Sequence, residues 1–170
     1  MALIKSLNNL NPVIAPDVFL ADNATIIGDV SIAKGSSVWF NSTIRGDVNS
    51  IVIGNNVNIQ DGVVVHCTYQ KTNTVIGNNV SIGHNAIIHG CKIEDNVLIG
   101  MGAIIMDGAL IQKNSIVAAG SIVTKNTLVP SGSVFAGLPA KLIRTISEEE
   151  IYDLTQNMAD NYIKYSSWYL

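Results

Sequence analysis

The chain has three histidines, His66, His84 and His89, and all three fall within one short stretch. Imidazole is both the commonest side-chain ligand for a transition metal and the usual general base near neutral pH, so such a cluster points to metal or acid–base chemistry. On a single ion, three neutral nitrogens would leave a fourth position open, and a divalent ion can lower the pKa of a water there from roughly 15.7 to about 7. Just upstream, Arg45, Asp47, Gln60 and Asp61 supply a permanent cation, two carboxylates and an amide. A lone histidine would favour simple packing. What three can do depends on the elements that carry them.

Those elements follow from a period. Aliphatic residues recur at every sixth position from Ile14 through Leu20, Ile26, Ile32 and Val38 to Ile44. After a three-residue insertion the series resumes at Ile53, Ile59 and Val65, then pauses for a loop over residues 67–73. It returns at Ile76, Ile82 and Ile88, skips one residue, and runs from Ile93 to Phe135. Four places after most of these aliphatic residues stands a small or β-branched one, as in Ala24, Val57, Val80 and Ala103. This is neither the 3.6-residue spacing of a helix nor the two-residue spacing of an ordinary strand. Gly54-Asn55-Asn56 and Gly77-Asn78-Asn79 tolerate left-handed backbone and suit tight corners. Each repeat reads as a short strand and a corner that cannot bury its side chain alone, so the units must stack into a solenoid around a ladder of Ile and Val.

The end of the chain breaks the pattern. Ser147 and Glu150 make a capping box, and Ile151, Leu154, Met158, Tyr162 and Tyr165 fall on one helical stripe. This predicts a helix over about 147–166 packed on a solenoid flank. The expected division is a β-solenoid domain over 1–146 and a C-terminal helical segment over 147–170.

With 170 residues, 48% of them hydrophobic and only 14% charged, the chain can build a real core. Its net charge of −3 and its scattered lysines and arginines offer no basic face for phosphates, which argues against nucleic acid. No stretch approaches the ~20 apolar residues of a membrane span, and Asn8-Asn9 interrupts any leader-like run, so a soluble cytoplasmic protein is expected. Cys67 and Cys91 read as reduced bystander thiols.

The period resembles that of the hexapeptide-repeat family over about residues 12–144, and Gly137-Leu138-Pro139-Ala140-Lys141 resembles the segment that closes its solenoids. The resemblance implies an all-β fold, a left-handed parallel β-helix of hexapeptide repeats with a C-terminal α-helix, in which three repeats complete a triangular coil. Stacked so, Arg45, His66, His89 and Met106 form one column, and Phe40, Asp61, His84 and Met101 form a second on the neighbouring face. His66 and His89 then occupy adjacent rungs, about 4.8 Å apart, and can share one ion. His84 points from another face, so a threefold neighbour would have to present it, which predicts a homotrimer with metal sites shared between chains. Arg45 would face a carboxylate, Asp61, across the same seam. Met101 and Met106 would make the rung above apolar.

As a set, Arg45-Gly46-Asp47, Asn58-Ile59-Gln60-Asp61-Gly62 with His66, Gly83-His84 and Ile88-His89-Gly90 are similar to the motifs of γ-class carbonic anhydrases. That resemblance implies His66, His84 and His89 as metal ligands, with Gln60 placing the water and Arg45, Asp47 and Asp61 forming a network around it. It also implies reversible hydration of carbon dioxide to bicarbonate by a hydroxide held on the ion, and it sets Tyr162 near the site. The imidazole set suits Zn2+, with Fe2+, Co2+ or Ni2+ also compatible. The most active γ enzymes carry a glutamate after the Arg-x-Asp segment and an acidic loop after the first histidine. Here those places hold Val48 and the carboxylate-free loop Cys67–Asn73, so proton export would be slow or buffer-borne. An acyl-CoA-dependent acyltransferase, a metal-dependent thioesterase and a non-catalytic trimeric scaffold stay open as alternatives.

Overall fold

In the regular repeats an inward aliphatic residue ends a two-residue strand, and three places later a residue with positive φ turns the corner. Asn85, Asn96, Asn114 and Asn126 serve this role at φ between 56 and 59°, and glycines such as Gly102, Gly108 and Gly120 serve it elsewhere. Asparagine and glycine are the residues that adopt this conformation at least cost. The computed structural model describes residues 1–169, and the chain winds as a left-handed parallel β-solenoid of triangular section with a single helical segment at its C-terminal end.

The three aliphatic columns stack in register. On the first face Ile44 pairs with Val65, Ile88, Ile105 and Val123 in turn. On the second, Ile32 leads through Ile53, Ile76, Ile93 and Ile111 to Val129. On the third, Val38 leads through Ile59, Ile82, Ile99 and Val117 to Phe135. Nearly all of these side chains are wholly buried, each contributing about 1.5–3 kcal/mol relative to exposure. One corner is tied along its length by side-chain amides, Asn56 donating to Asn79, Asn79 to Asn96 and Asn96 to Asn114, each at 3.1 Å.

Three departures from this regularity matter for the site. The three-residue insertion is absorbed in one 11-residue strand, Thr43–Ile53, which bends around a corner and shifts register opposite Gly28 and Val30. The loop 67–73 bulges outward between the strands Val64–His66 and Thr74–Ile76. The shortened corner after Ile88 is closed by Gly90, whose N–H donates to Thr74 Oγ1 at 3.0 Å.

The solenoid also extends beyond the repeats the period reveals. Leu3–Lys5 pairs with the strand Thr25–Ile32, yet its side chains are exposed, so it leaves no apolar rhythm to read. At the far end Ser133–Gly137 pairs antiparallel with Ala140–Thr145, the one hairpin among the described strands of the solenoid.

The helix starts where its capping box places it, with Ser147 accepting from Glu150 N–H. It is not uniform. Glu148–Ile151 is α-helical, Tyr152–Gln156 is a π turn, Asn157–Ser166 is α-helical again and Ser167–Tyr169 is 3-10. The π turn shifts the buried edge, so Thr155 and Ala159 become the most buried positions, while Leu154, Met158, Tyr162 and Tyr165 are half-buried. The helix docks on the third face through Trp39, whose ring meets that of Tyr162 edge-on at 5.4 Å and whose Nε1–H donates to Ser37 Oγ at 3.0 Å. No helix among the described residues is long and apolar enough to cross a membrane. Cys67 and Cys91 are free and buried.

Candidate metal centre

His66 and His89 end the strands Val64–His66 and Ile87–His89 and are register partners on the first face. Their rings converge, with His66 Nδ1 3.1 Å from His89 Nε2. Each ring has a carboxylate behind it. His66 Nε2 lies 2.9 Å from Asp47 Oδ1, and His89 Nδ1 lies 2.9 Å from Asp107 Oδ1. An ionised carboxylate only accepts, so these nitrogens carry the N–H and the two facing nitrogens carry lone pairs. Two lone pairs at that distance repel unless a cation lies between them. Nitrogens bound to one tetrahedral ion at ~2.0–2.1 Å stand about 3.3 Å apart, so the pair fits two ligands of such an ion.

The bulge in Thr43–Ile53 makes Asp47 available. Asp47 also receives Nη1 of Arg45, and so joins a guanidinium to His66. Burial pushes its carboxyl up, but hydrogen bonds from His66 and Arg45 and the charge of Arg45 outweigh this and hold it below its ordinary value. Asp107 behaves alike: burial raises its pKa, and the hydrogen bonds from His89, Thr72 and Thr68 bring it below its ordinary value.

The remaining sequence-predicted residues gather on the adjacent side. His84 Nδ1 lies 2.9 Å from Asp61 Oδ2, which leaves Nε2 as its lone-pair nitrogen on a partly exposed ring. Gln60 is 4% exposed and its Nε2 donates to Asn58 Oδ1 at 3.0 Å, while Asn58 Nδ2 donates to Ser81 Oγ at 2.7 Å. His84, Gln60 and Tyr162 line one largely apolar cavity of about 420 Å³, with Met101, Met158 and Tyr165 among its walls. Burial first, then the negative charge of Asp61 and the proximity of Tyr165, push the Tyr162 hydroxyl up to about 12, so it is a neutral donor at physiological pH.

One chain therefore carries two groups, Arg45, Asp47, His66 and His89 in one and Gln60, Asp61, His84 and Tyr162 in the other. Within a chain they do not merge, and among the described residues no three His, Cys, Asp or Glu side chains are placed to hold an ion. Within the chain Arg45 pairs with Asp47, and Asp61 is engaged with His84.

Comparison with known proteins decides the family. The family described as bacterial transferase hexapeptide (six repeats) matches residues 73–106, and that described as hexapeptide repeat of succinyl-transferase matches residues 90–125. A probable carbonic anhydrase of Methanocaldococcus jannaschii is 50% identical over 153 residues, covering 90% of this chain and 95% of that protein. The chain belongs to the γ-carbonic anhydrase-like family of hexapeptide-repeat proteins. The mitochondrial gamma carbonic anhydrase 2 of Arabidopsis thaliana is 49% identical over 90% of the chain, which spans 56% of that relative's length. The crystal structure of a hexapeptide transferase family protein from Anaplasma phagocytophilum superposes with a TM-score of 0.94 at 44% identity, covering 99% of this chain and 98% of that one.

For a γ-carbonic anhydrase-like chain the residue that sequence reasoning missed is Asp107. The rung above the histidines is not apolar throughout, because the residue after Met106 turns back at the corner and reaches His89. Thr68 and Thr72 of the loop bond to the same carboxylate, so the loop 67–73, without an acid of its own, has one at its base. The signal was present. Asp107 directly follows Met106, the upward continuation of the histidine column, where a carboxylate next to an imidazole is worth noting.

Proposed function

We propose that this protein is a carbonic anhydrase whose metal sites lie between the chains of a homotrimer, each built from His66 and His89 of one chain and His84 of its neighbour. The observation that carries the reading is the register pair His66 and His89, held by Asp47 and Asp107 so that two lone pairs converge 3.1 Å apart. Two ligands call for a third, and His84 offers a lone-pair nitrogen on another face. Beside the pair, Val64 and Ile87 are register partners that point outward and are 39% and 38% exposed, an apolar column suited to a second copy. In that assembly Arg45 would also face Asp61 across the seam.

Zn2+ is the expected ion, with Fe2+ the main competitor and Co2+ or Ni2+ compatible. When bound, such an ion supplies the acidity that turns water into a nucleophile near neutral pH. The chain's own residues do the rest. Gln60, its Nε2 committed to Asn58, offers Oε1 as an acceptor that orients a water. The apolar walls around Met101 and Met158 suit an uncharged substrate such as carbon dioxide. With Val48 and a loop free of acids at the outer edge, the proton leaves through buffer, and turnover rises with buffer concentration.

The cavity favours one second reading. Its 420 Å³ exceeds what a triatomic substrate fills, so an acyl thioester hydrolysed at the same centre is the alternative. An acyl-CoA transferase needs one histidine base and gains nothing from a second imidazole beside it.

Stopped-flow hydration of carbon dioxide tests the proposal, on protein loaded with Zn2+ or, without oxygen, Fe2+. Hydration that depends on buffer and disappears in His84→Ala is expected, together with partial recovery in mixed trimers of His66→Ala and His84→Ala chains. Full metal occupancy without hydration would move the assignment to the thioester reaction or to a scaffold. No recovery in mixed trimers would remove the shared site.

A further inference from the structure

Asp107 lies just past the strand Ile104–Ile105, which stacks directly on Ile87–His89. Its Oδ1 accepts from His89 Nδ1 at 2.9 Å and from Thr72 Oγ1 at 3.1 Å, and Thr68 Oγ1 lies 3.2 Å from both carboxylate oxygens. One side chain thus touches a candidate ligand and both ends of the loop that interrupts the repeats. The neighbouring backbone is shaped for it. A Cβ on Gly90 would meet Asp107 Oδ1 at 2.1 Å and Thr72 Oγ1 at 2.2 Å, so only glycine admits this convergence. Thr68 N–H in turn donates to Thr72 Oγ1 at 3.1 Å, closing the loop on itself above the carboxylate.

A neutral imidazole has one N–H, and the partner of that N–H decides which nitrogen is left to bind. Water satisfies either tautomer. An acceptor-only carboxylate at Nδ1 does not, and it commits Nε2 to the lone pair that faces His66. Carbonyls or hydroxyls in place of Asp107 would make the same geometry a weaker choice, because a charged acceptor strengthens the bond it receives.

We infer that Asp107 is a positioning residue with two linked duties: it fixes His89 in the Nδ1–H tautomer, and it latches the loop 67–73 across that same ring through Thr68 and Thr72. Its consequence for metal affinity rests on the proposed function, whereas the tautomer does not.

Nitrogen-15 NMR of metal-free protein labelled at histidine tests it, since three histidines give few and assignable signals. In the wild-type chain His89 should show the Nδ1–H form. Asp107→Asn is nearly isosteric, and its amide can turn Nδ2 toward the ring, so the signal should move toward the Nε2–H form with His66 unchanged. Thr68→Val with Thr72→Val should leave the tautomer in place while amide exchange in the loop quickens. Competition with a chelator should show Zn2+ held about 10–100-fold more weakly by Asp107→Asn. An unchanged His89 tautomer in Asp107→Asn overturns the inference, as does loop exchange that is the same in the threonine variant. If the wild-type chain binds no metal, the proposed function fails while the tautomer measurement still decides the role of Asp107.

Discussion

The rungs from Ile93 to Phe135 and those from Ile44 to Cys91 share a period and a core but differ in how strictly they keep it. In the upper stretch each repeat is six residues, every corner is an asparagine or a glycine, and no side chain of the proposed centre sits beyond Asp107. In the lower stretch the period breaks three times, at the insertion near Asp47, at the loop 67–73 and at the shortened corner after Ile88. Asp47 comes from the first break, the threonines that hold Asp107 from the second, and Gly90, which leaves them room, from the third. The repeat builds a rigid prism, and chemistry has collected where the repeat is interrupted.

Substitutions that separate the two functions of the solenoid give the largest effects. Replacing His66 by Ala should empty the proposed metal site, read by metal analysis after dialysis, and lower the urea midpoint of the metal-free protein far less than a core truncation does, because the ring lies outside the aliphatic core and gives up only its bond to Asp47. Replacing Ile105 by Ala removes a wholly buried side chain next to Ile88 and should cost about 2–5 kcal/mol in urea unfolding while the folded fraction keeps its metal. A variant of Ile105 that loses metal without losing stability would break the division between scaffold and site.

A finer contrast uses two glycines with the same backbone sign. Gly120, at φ 66°, has nothing within 4 Å of a built Cβ, whereas Gly90, at φ 56°, has Asp107 and Thr72 in the way. Gly120→Ala should therefore cost only the conformational penalty of about 1–2 kcal/mol. Gly90→Ala adds a steric clash worth about 1–3 kcal/mol more and should release the loop, seen as faster amide exchange over 67–73. Equal destabilisation by the two would mean that the crowding at Gly90 relaxes freely and that the lower corner is no tighter than the upper.

The upper stretch was legible in the sequence as a stacked solenoid from its six-residue period, and the count of three repeats per coil came from the family resemblance. The histidine column followed from that coil: once Ile88 stacks on Val65, His89 must stack on His66. Asp107 was marked only by its place next to Met106 of the histidine column, and its contact with His89 depends on a corner side chain turning back, which spacing along the chain does not encode. The pairing of Arg45 with Asp47 escaped for a related reason, since the bulge that presents Asp47 lies inside an insertion with no period to extrapolate. The strand Leu3–Lys5 and the hairpin's second strand Ala140–Thr145 are held by backbone pairing with mostly exposed side chains and so fall outside the six-residue rhythm. The π turn at Tyr152–Gln156 displaced the predicted stripe by part of a turn, because Thr155 and Ala159 fit against the solenoid more closely than the larger residues beside them.

The interruption also brings the solenoid's buried thiols, and these give the smallest effect. Cys67 and Cys91 both lie in the lower stretch, at 1% and 3% exposure. Burial pushes the Cys91 thiol up to about 12, and burial with the nearby charge of Asp47 raises that of Cys67. In the unfolded chain a cysteine titrates near 8.5. The neutral thiol is thus favoured by the fold, so its contribution to stability is complete below about pH 8.5 and is lost as pH climbs toward 12. For Cys91 the loss is at most about 1.4 kcal/mol per pH unit. Thermal melts of the wild-type protein should fall between pH 9 and 11 more steeply than those of Cys91→Ala, in which other alkaline titrations remain and this one is gone. At pH 8 a thiol reagent should label neither cysteine until the protein unfolds. Labelling of Cys67 alone in the folded state would show that the loop 67–73 opens while the rung beneath Cys91 stays closed, placing the weakest point of the lower stretch at its second interruption.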